Sequence, residues 1–261
     1  MAGQAFIGTS GWNYKGWSNG VFYPPELKPA AWLDFYARHL DTVEVNNTFY
    51  NLPAKRVFEA WRDQTPDHFR FAIKASRFIT HMKKLLDPAE HVTLFLERAA
   101  GLEHKLSVIL FQLPPFWRYN GARLETFCQF VARQDIVPGV RVALEVRNVS
   151  WLGEGCFDTL RKHNVALAFA DWPSAKVQGP LTADFVFVRR HGPTGLYCSD
   201  YDDAQLQGEA DRINAWRAEG KDVYAYFNND ACAFAVKNAL TLQQMLKTHP
   251  RHRGARAECA R

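Results

Sequence analysis

Glu44 and Asn46, Lys74 and Ser76, Glu145 and Arg147, Arg189 and His191, and Tyr226 and Asn228 are pairs of polar residues two apart, each in or at the end of a short apolar run. In a β-strand that spacing puts both members on one face. Their neighbours Val43, Val45, Ile73, Ala75, Leu144 and Val146 are apolar and suit packing against the other side. Carboxylates with basic partners can carry out acid–base chemistry when their surroundings separate their pKa values. Glu44, Glu145, Asp171 and His191 are therefore the catalytic candidates. His191 is the expected proton carrier, and His81, in a loop, is a second one. Lys74, Arg147 and Arg189 are expected to neutralise Glu44, Glu145 and Asp171 and to hold an anionic substrate group, carboxylate or phosphate. Asn46, Gln112 and Asn228 would orient it, with Trp151 and Tyr226 as further substrate contacts. A Schiff base at Lys74 is disfavoured here, because a nearby acid keeps an ammonium charged and unreactive.

The same residues allow other chemistry. Glu145, Asp171 and His191 form a conceivable set for a hard divalent ion, although few histidines accompany them, and no cofactor is expected. The charges could also be an ion-pair network that fills space. Against that, several charges at one place are an expensive filler, since buried charges must be paired to be tolerated. Trp12, Trp17, Trp117, Trp151 and Trp172 lie outside the helical stripes and could pack loops or stack on a flat ligand.

Positioning such pairs requires strands, and eight are legible: Ala5–Thr9, Thr42–Asn46, Phe69–Ser76, Leu106–Gln112, Arg141–Arg147, Val165–Asp171, Phe185–His191 and Asp222–Asn228. Amphipathic helical patterns alternate with them, such as Trp32, Phe35, Tyr36 and Leu40, or Leu206, Ala210, Ile213 and Trp216. Strict alternation makes the strands parallel, and eight can close into an α/β fold of the (β/α)8 TIM-barrel type. The 261-residue length fits one such barrel. An open doubly wound sheet would be expected to show a phosphate loop, which Gly8-Thr9-Ser10-Gly11-Trp12 does not complete. The link after strand six, Trp172 to Ala183, contains two prolines and a glycine, so its helix is expected to be reduced or replaced. In a barrel of this type chemistry sits at the C-terminal strand ends, where the polar pairs fall.

The barrel is expected over residues 1–247, followed by a basic tail, 248–261, that holds four arginines against one acid and so most of the net charge of +5. A nucleic-acid partner is conceivable through that tail. Five scattered cysteines without a C-x-x-C pair argue against a zinc knuckle or disulfide framework. No run of about 18 apolar residues is present and the N-terminus lacks a basic flank, so a cytoplasmic protein without membrane contact is expected.

The stretches Ile7-Gly8-Thr9-Ser10-Gly11-Trp12, Phe22-Tyr23-Pro24, Thr42-Val43-Glu44-Val45-Asn46-Asn47-Thr48-Phe49-Tyr50, Ile79-Thr80-His81 and Gln112-Leu113-Pro114-Pro115 resemble the DUF72 (YecE-like) family. So do Val188-Arg189-Arg190-His191-Gly192 and Tyr226-Phe227-Asn228-Asn229. The resemblance implies the same barrel and no activity, since the family is of unknown function. One departure is Asn148, where the family pattern has a histidine after Glu145-Val146-Arg147. The expectation is an enzyme (hydrolase, lyase or isomerase) acting on a small anionic ligand. A nucleic-acid-binding or phosphodiester-cleaving barrel and a non-catalytic metabolite binder are the alternatives, and the oligomeric state is left open.

Overall fold

A computed structural model describes residues 1–173, 175–177 and 179–248; the expected basic tail, from residue 249 onward, lies outside the described residues. The strands are β1 (Ala5–Ser10), β2 (Thr42–Val45), β3 (Arg70–Lys74), β4 (Leu106–Gln112), β5 (Arg141–Glu145), β6 (Ala166–Leu167), β7 (Phe169–Trp172), β8 (Ala175–Lys176), β9 (Phe185–Arg190) and β10 (Asp222–Phe227). Their order is β6-β5-β4-β3-β2-β1-β10-β9-β7-β8, and every pairing except the β7–β8 hairpin is parallel. Because β6 and β7 follow one another in the chain, parted only at Ala168, the two ends of this order share one strand position. The eight-position barrel closes through it.

The main helices α1 (Trp32–Ala37), α2 (Asn47–Tyr50), α3 (Lys55–Asp63), α4 (Pro88–Ala99), α5 (Gly121–Ala132), α6 (Glu154–Lys162) and α7 (Asp203–Ala218) intervene between strands, and α8 (Phe234–Thr248) follows the last one. Local chemistry fixes several starts. Pro88 sits in the first turn of α4, where the missing N–H costs nothing. Asp202 and Gln205 form a reciprocal capping box on α7. Between β7 and β9 the described residues form the short hairpin strand β8 and no helix, as the prolines and glycine there predict.

The strand alternation sorts the core into two bodies. Val43, Val45, Ile73, Ala75, Leu144, Val146 and Val188 point outward into the cluster under the helices. Ala72, Val108, Leu110, Ala143, Ala166, Ala168, Phe185, Phe187, Tyr224 and Tyr226 fill the barrel interior. One step farther along the same inward series come Glu44, Lys74, Gln112, Glu145 and Arg189, so the filling changes from apolar to charged near the C-terminal strand ends. Gly8 permits this geometry on β1: a Cβ there would stand 2.1 Å from the Thr42 carbonyl oxygen.

Five strands end one or two residues earlier than expected. Asn46, Ser76, Arg147, His191 and Asn228 all lie past the last paired residue. The reason is local: each segment turns away to start the next connection. Asn46, at φ −100° and ψ −21°, already caps α2. His81 is likewise not in an open loop but in a single π-type turn, Phe78–Met82.

Candidate functional site

Arg189 on β9 is the centre of the barrel mouth and is fully buried. Its Nε and Nη2 donate to the two carboxylate oxygens of Glu44 on β2, each at 2.8 Å, and its Nη1 donates to Glu145 on β5. Ser10 Oγ adds a 2.8 Å bond to Glu44 Oε1, and Arg147 Nε a 2.6 Å bond to Glu145 Oε1. Burial pushes the Glu145 carboxyl up, but Arg189, then Arg147, His191 and Lys74, outweigh it and hold it well below the usual carboxylate range. Both glutamates are therefore committed to cations, with little lone-pair capacity left for a substrate proton.

His191 stands 3.1 Å from Arg189 Nη1 through Nε2 and 3.2 Å from Asp171 Oδ1 through Nδ1. A guanidinium only donates, so Nε2 must accept and Nδ1 carries the hydrogen, directed at Asp171. Burial lowers the imidazole's pKa, with Arg189 adding to the effect and the Asp171 bond opposing it. His191 is thus a neutral ring wedged between an arginine and a carboxylate.

Asp171 differs from its expected setting. It pairs with no mouth cation; its Oδ1 also accepts from the His191 backbone N–H at 2.7 Å and its Oδ2 from the Tyr201 hydroxyl. The cause is the strand break at Ala168 and the parity of the residues around it. Ala166 and Ala168 face inward, so Asp171 is turned to the outer side and touches the mouth only through His191. There it borders a cavity of about 390 Å³ between β7, β9 and α7, together with Arg190, Tyr201, Glu209 and Arg212. That cavity occupies the place of the missing helix. Arg190, which faces away from the mouth, pairs with Glu209 at 2.7 Å.

Lys74 also departs from expectation. It is 9% exposed, and among the described residues its Nζ has no hydrogen-bond or ion-pair partner; it lies 4.2 Å over the Phe49 ring centroid. Burial, then Arg189 and Arg147, push the ammonium down to about 7, against the opposing pull of Glu145 and Glu44. Of the three cations expected to share the mouth carboxylates, Arg189 and Arg147 have taken up Glu44 and Glu145, and Lys74 pairs with neither. Asn46 directly follows β2, past the Val45–Ile73 pair, and its Oδ1 is buried without a partner among the described residues. Near the ends of two neighbouring strands the mouth thus holds an ammonium and a buried amide oxygen, neither with a hydrogen-bond partner among the described residues.

His81 lies beside them, its Nδ1 2.9 Å from Thr80 Oγ1 and its ring edge-on to Phe49. Burial, then Lys74 and Arg147, lower its pKa to about 4, so it is neutral at pH 7. Arg147 lies over the face of Trp172 at 3.6 Å. Gln112 is buried and donates to its neighbour's carbonyl, Leu113 O, at 2.6 Å, and Asn228 is half-buried at the end of β10. Two expected substrate contacts are out of reach. Tyr226 is fully buried, bonded to Thr42 Oγ1 at 2.7 Å in the barrel interior. Trp151 is fully buried, its Nε1 donating to Trp117 O, so it packs a loop. Trp17 and Trp117 are also buried. Asn148 caps the turn before Trp151 through bonds to Ser150.

Tyr14 and Asp230 were not anticipated. Both follow strand ends, after β1 and β10. Burial raises the Asp230 carboxyl's pKa, and Asp230 and Glu44 both oppose ionisation of the Tyr14 phenol, which burial alone already suppresses. Asp230 lies in Asn228-Asn229-Asp230, directly after the polar pair on β10, and this position at a strand end was the available signal. Among the described residues no three His, Cys, Asp or Glu side chains are grouped for a metal ion. Glu145 is held by arginines and Asp171 by His191 and Tyr201, so the conceivable metal set does not converge. The four described cysteines are free, and no described helix is long and apolar enough to cross a membrane.

Residues 6–259 match the family model described as "Protein of unknown function DUF72". The chain is 25% identical over 272 residues to the UPF0759 protein YunF of Bacillus subtilis (strain 168), covering 92% of this chain and 94% of that protein. The solved structure of a DUF72 family protein from Thermotoga maritima MSB8 superposes with a TM-score of 0.81 at 28% identity, over 94% of this chain and 99% of that one. A D-psicose 3-epimerase from Clostridium cellulolyticum H10 shares the TIM-barrel fold, with a TM-score of 0.58 at 10% identity, over 93% and 98% of the two chains.

Proposed function

The chain belongs to the DUF72 family of proteins of unknown function, and we propose that it is an enzyme acting on a small organic substrate that carries a carboxylate or phosphate, by acid–base chemistry at the barrel mouth. The observation that carries this is Lys74: a cation only 9% exposed and without an ion-pair partner among the described residues, in a mouth where Arg189 is already paired with two carboxylates. An uncompensated buried charge is costly, and a ligand anion would relieve that cost.

The residues divide into a frame and a working edge. Glu44, Arg189 and Glu145, braced by His191 and Asp171, form fixed charges under the substrate. Lys74 and Arg147 attract the anion. The Lys74 ammonium, pushed down to about 7, is matched to proton transfer near neutral pH. Asp230, whose carboxyl is raised by burial, is the second proton-transfer group. Asn46, Gln112 and Asn228 orient the substrate, and no metal or cofactor is required by these roles.

Thermal unfolding in the presence of small carboxylates and phosphates tests this. Tm of the wild type should rise with anion concentration at pH 6, where Lys74 is charged, and the rise should be lost in Lys74→Met. If no carboxylate or phosphate raises Tm, or if Lys74→Met responds as the wild type does, the proposal fails.

A further inference from the structure

We propose that Lys74 is a covalent nucleophile: its Nζ condenses with the carbonyl of an anionic aldehyde or ketone to form an imine. This rests on the mouth being the small-molecule site just described and adds the substrate class.

The chain supplies its own comparison. Lys105 is likewise little exposed, but its Nζ donates to the Arg62 and Thr65 carbonyls at 2.7 and 2.6 Å. That is a lysine whose head is held by acceptors, although burial still lowers its pKa. Lys74 has no such acceptors. Its head rests on the Phe49 ring, with Arg189 and Arg147 nearby as like charges, and the carboxylates it might have used are bound to those arginines. Desolvation next to another cation is how an amine is kept neutral and reactive at ordinary pH. Asn46 Oδ1, just past the end of the neighbouring strand β2 and buried without a partner among the described residues, would accept from the hydroxyl of the addition product or from the iminium N–H.

The step balances without an oxidant or reductant. The neutral Nζ lone pair adds to the carbonyl carbon as the C–O π pair moves to oxygen, which takes a proton. Nitrogen then releases a proton, the hydroxyl is protonated and leaves as water, and the C=N bond forms. One amine, one carbonyl and one proton give an iminium and water. The anion on the substrate faces Arg147, and the iminium replaces the lysine's own charge at the same place. An iminium withdraws electrons from the adjacent carbon, which suits a lyase or isomerase acting next to a carbonyl.

Glyoxylate, the smallest anionic aldehyde, is the probe, with cyanoborohydride to trap the imine and peptide mapping to locate the carboxymethyl-lysine. At pH 7 an ordinary lysine is less than about one part in a thousand neutral, whereas a group titrating near 7 is about half neutral. Lys74 should therefore be modified about tenfold or more faster than the exposed Lys28 and Lys55, with a rate that rises through a midpoint near pH 7. Lys74→Arg, which keeps a cation but no condensable amine, should lose the label. Labelling of Lys74 no faster than that of Lys28 in the wild type overturns the imine proposal. If the wild type then still shows the anion-dependent Tm rise, the small-anion mouth survives and only the covalent step falls; if that rise is also absent, both fall.

Discussion

Arg189 and Lys74 are both buried cations of one mouth, and their opposite circumstances make opposite predictions. Arg189 is held by both oxygens of Glu44 and by Glu145, so Glu145→Gln leaves Arg189 and Arg147 short of a charge. That substitution should cost about 3–5 kcal/mol, read as a lower midpoint in urea. Lys74 has no partner to lose. Lys74→Met removes a buried charge and should stabilise the fold by about 1–3 kcal/mol at pH 7 or below, while abolishing anion binding. The pH dependence has a definite sign. The folded ammonium titrates at about 7 and the unfolded one at about 10.4, so between those values the unfolded chain binds more protons. The penalty is fully present below pH 7 and is relieved as pH rises toward 10, so wild-type stability should gain about 1 kcal/mol per pH unit above 7 from this group. Lys74→Met should flatten that slope; equal slopes in the two proteins would show that Lys74 is compensated. The period of two in the sequence was enough to put Glu44, Lys74, Glu145 and Arg189 on the inner face. It could not assign their partners, because pairing depends on which strands meet across the barrel. Lys74 lost the acid expected beside it because Arg189, on a strand distant in sequence, reached both carboxylates first.

At the scale of elements, the segment after β7 explains why Asp171 was misplaced. The spacing of apolar residues over Val165–Asp171 does indicate a strand, and the strand is there. Its division at Ala168 and the outward turn of Asp171 leave no trace in composition, since both follow from the hairpin with β8 and the absence of a covering helix. What remains is the cavity of about 390 Å³ beside α7. Gly208 lies on α7 facing it, and a Cβ added there would meet nothing within 4 Å. A glycine inside a helix costs about 0.5–1 kcal/mol relative to alanine. Gly208→Ala should therefore raise Tm by a few degrees with no steric penalty, measured by thermal unfolding; a lowered Tm would mean that this turn of α7 needs glycine for packing. Gly192, by contrast, has φ +123° and a Cβ there would stand 2.3 Å from Gly195 O, so it is fixed by the reversal that follows His191. Strand ends were legible only to within two residues. The chain leaves the sheet where the backbone begins the next turn, as it does at Asn46, whose dihedrals are already helical.

The barrel as a whole is unevenly closed, and that should set where it opens. β1, β9 and β10 pair along nearly their full lengths, from Ala5–Val223 to Thr9–Phe227 and from Asp222–Phe185 to Phe227–Arg190. The strand position between β5 and β9 is closed by short pieces: Ala143–Ala166 and Leu144–Leu167 on one side, Phe169–Val188 and Ala170–Arg189 on the other. A seam with so few ladder bonds, no helix among the described residues between β7 and β9 and a cavity behind it has little to hold it when neighbouring elements stay folded. Amide hydrogen exchange should thus show residues 166–172 exchanging at least about tenfold faster than the amides of β1 and β10. Uniform protection around the barrel would mean that Asp171, through Tyr201 and His191, supplies the closure that the ladder lacks. The location matters for the mouth, because Asp171 is what holds His191, and His191 stands against Arg189. Opening of the seam would release the ring that braces the central guanidinium while leaving Lys74, on the opposite side between β2 and β4, in place. An anion bound at Lys74 should accordingly leave the exchange of residues 166–172 nearly unchanged. If the same anion slows it, the substrate also draws on Arg189, and the frame and the working edge act as one unit.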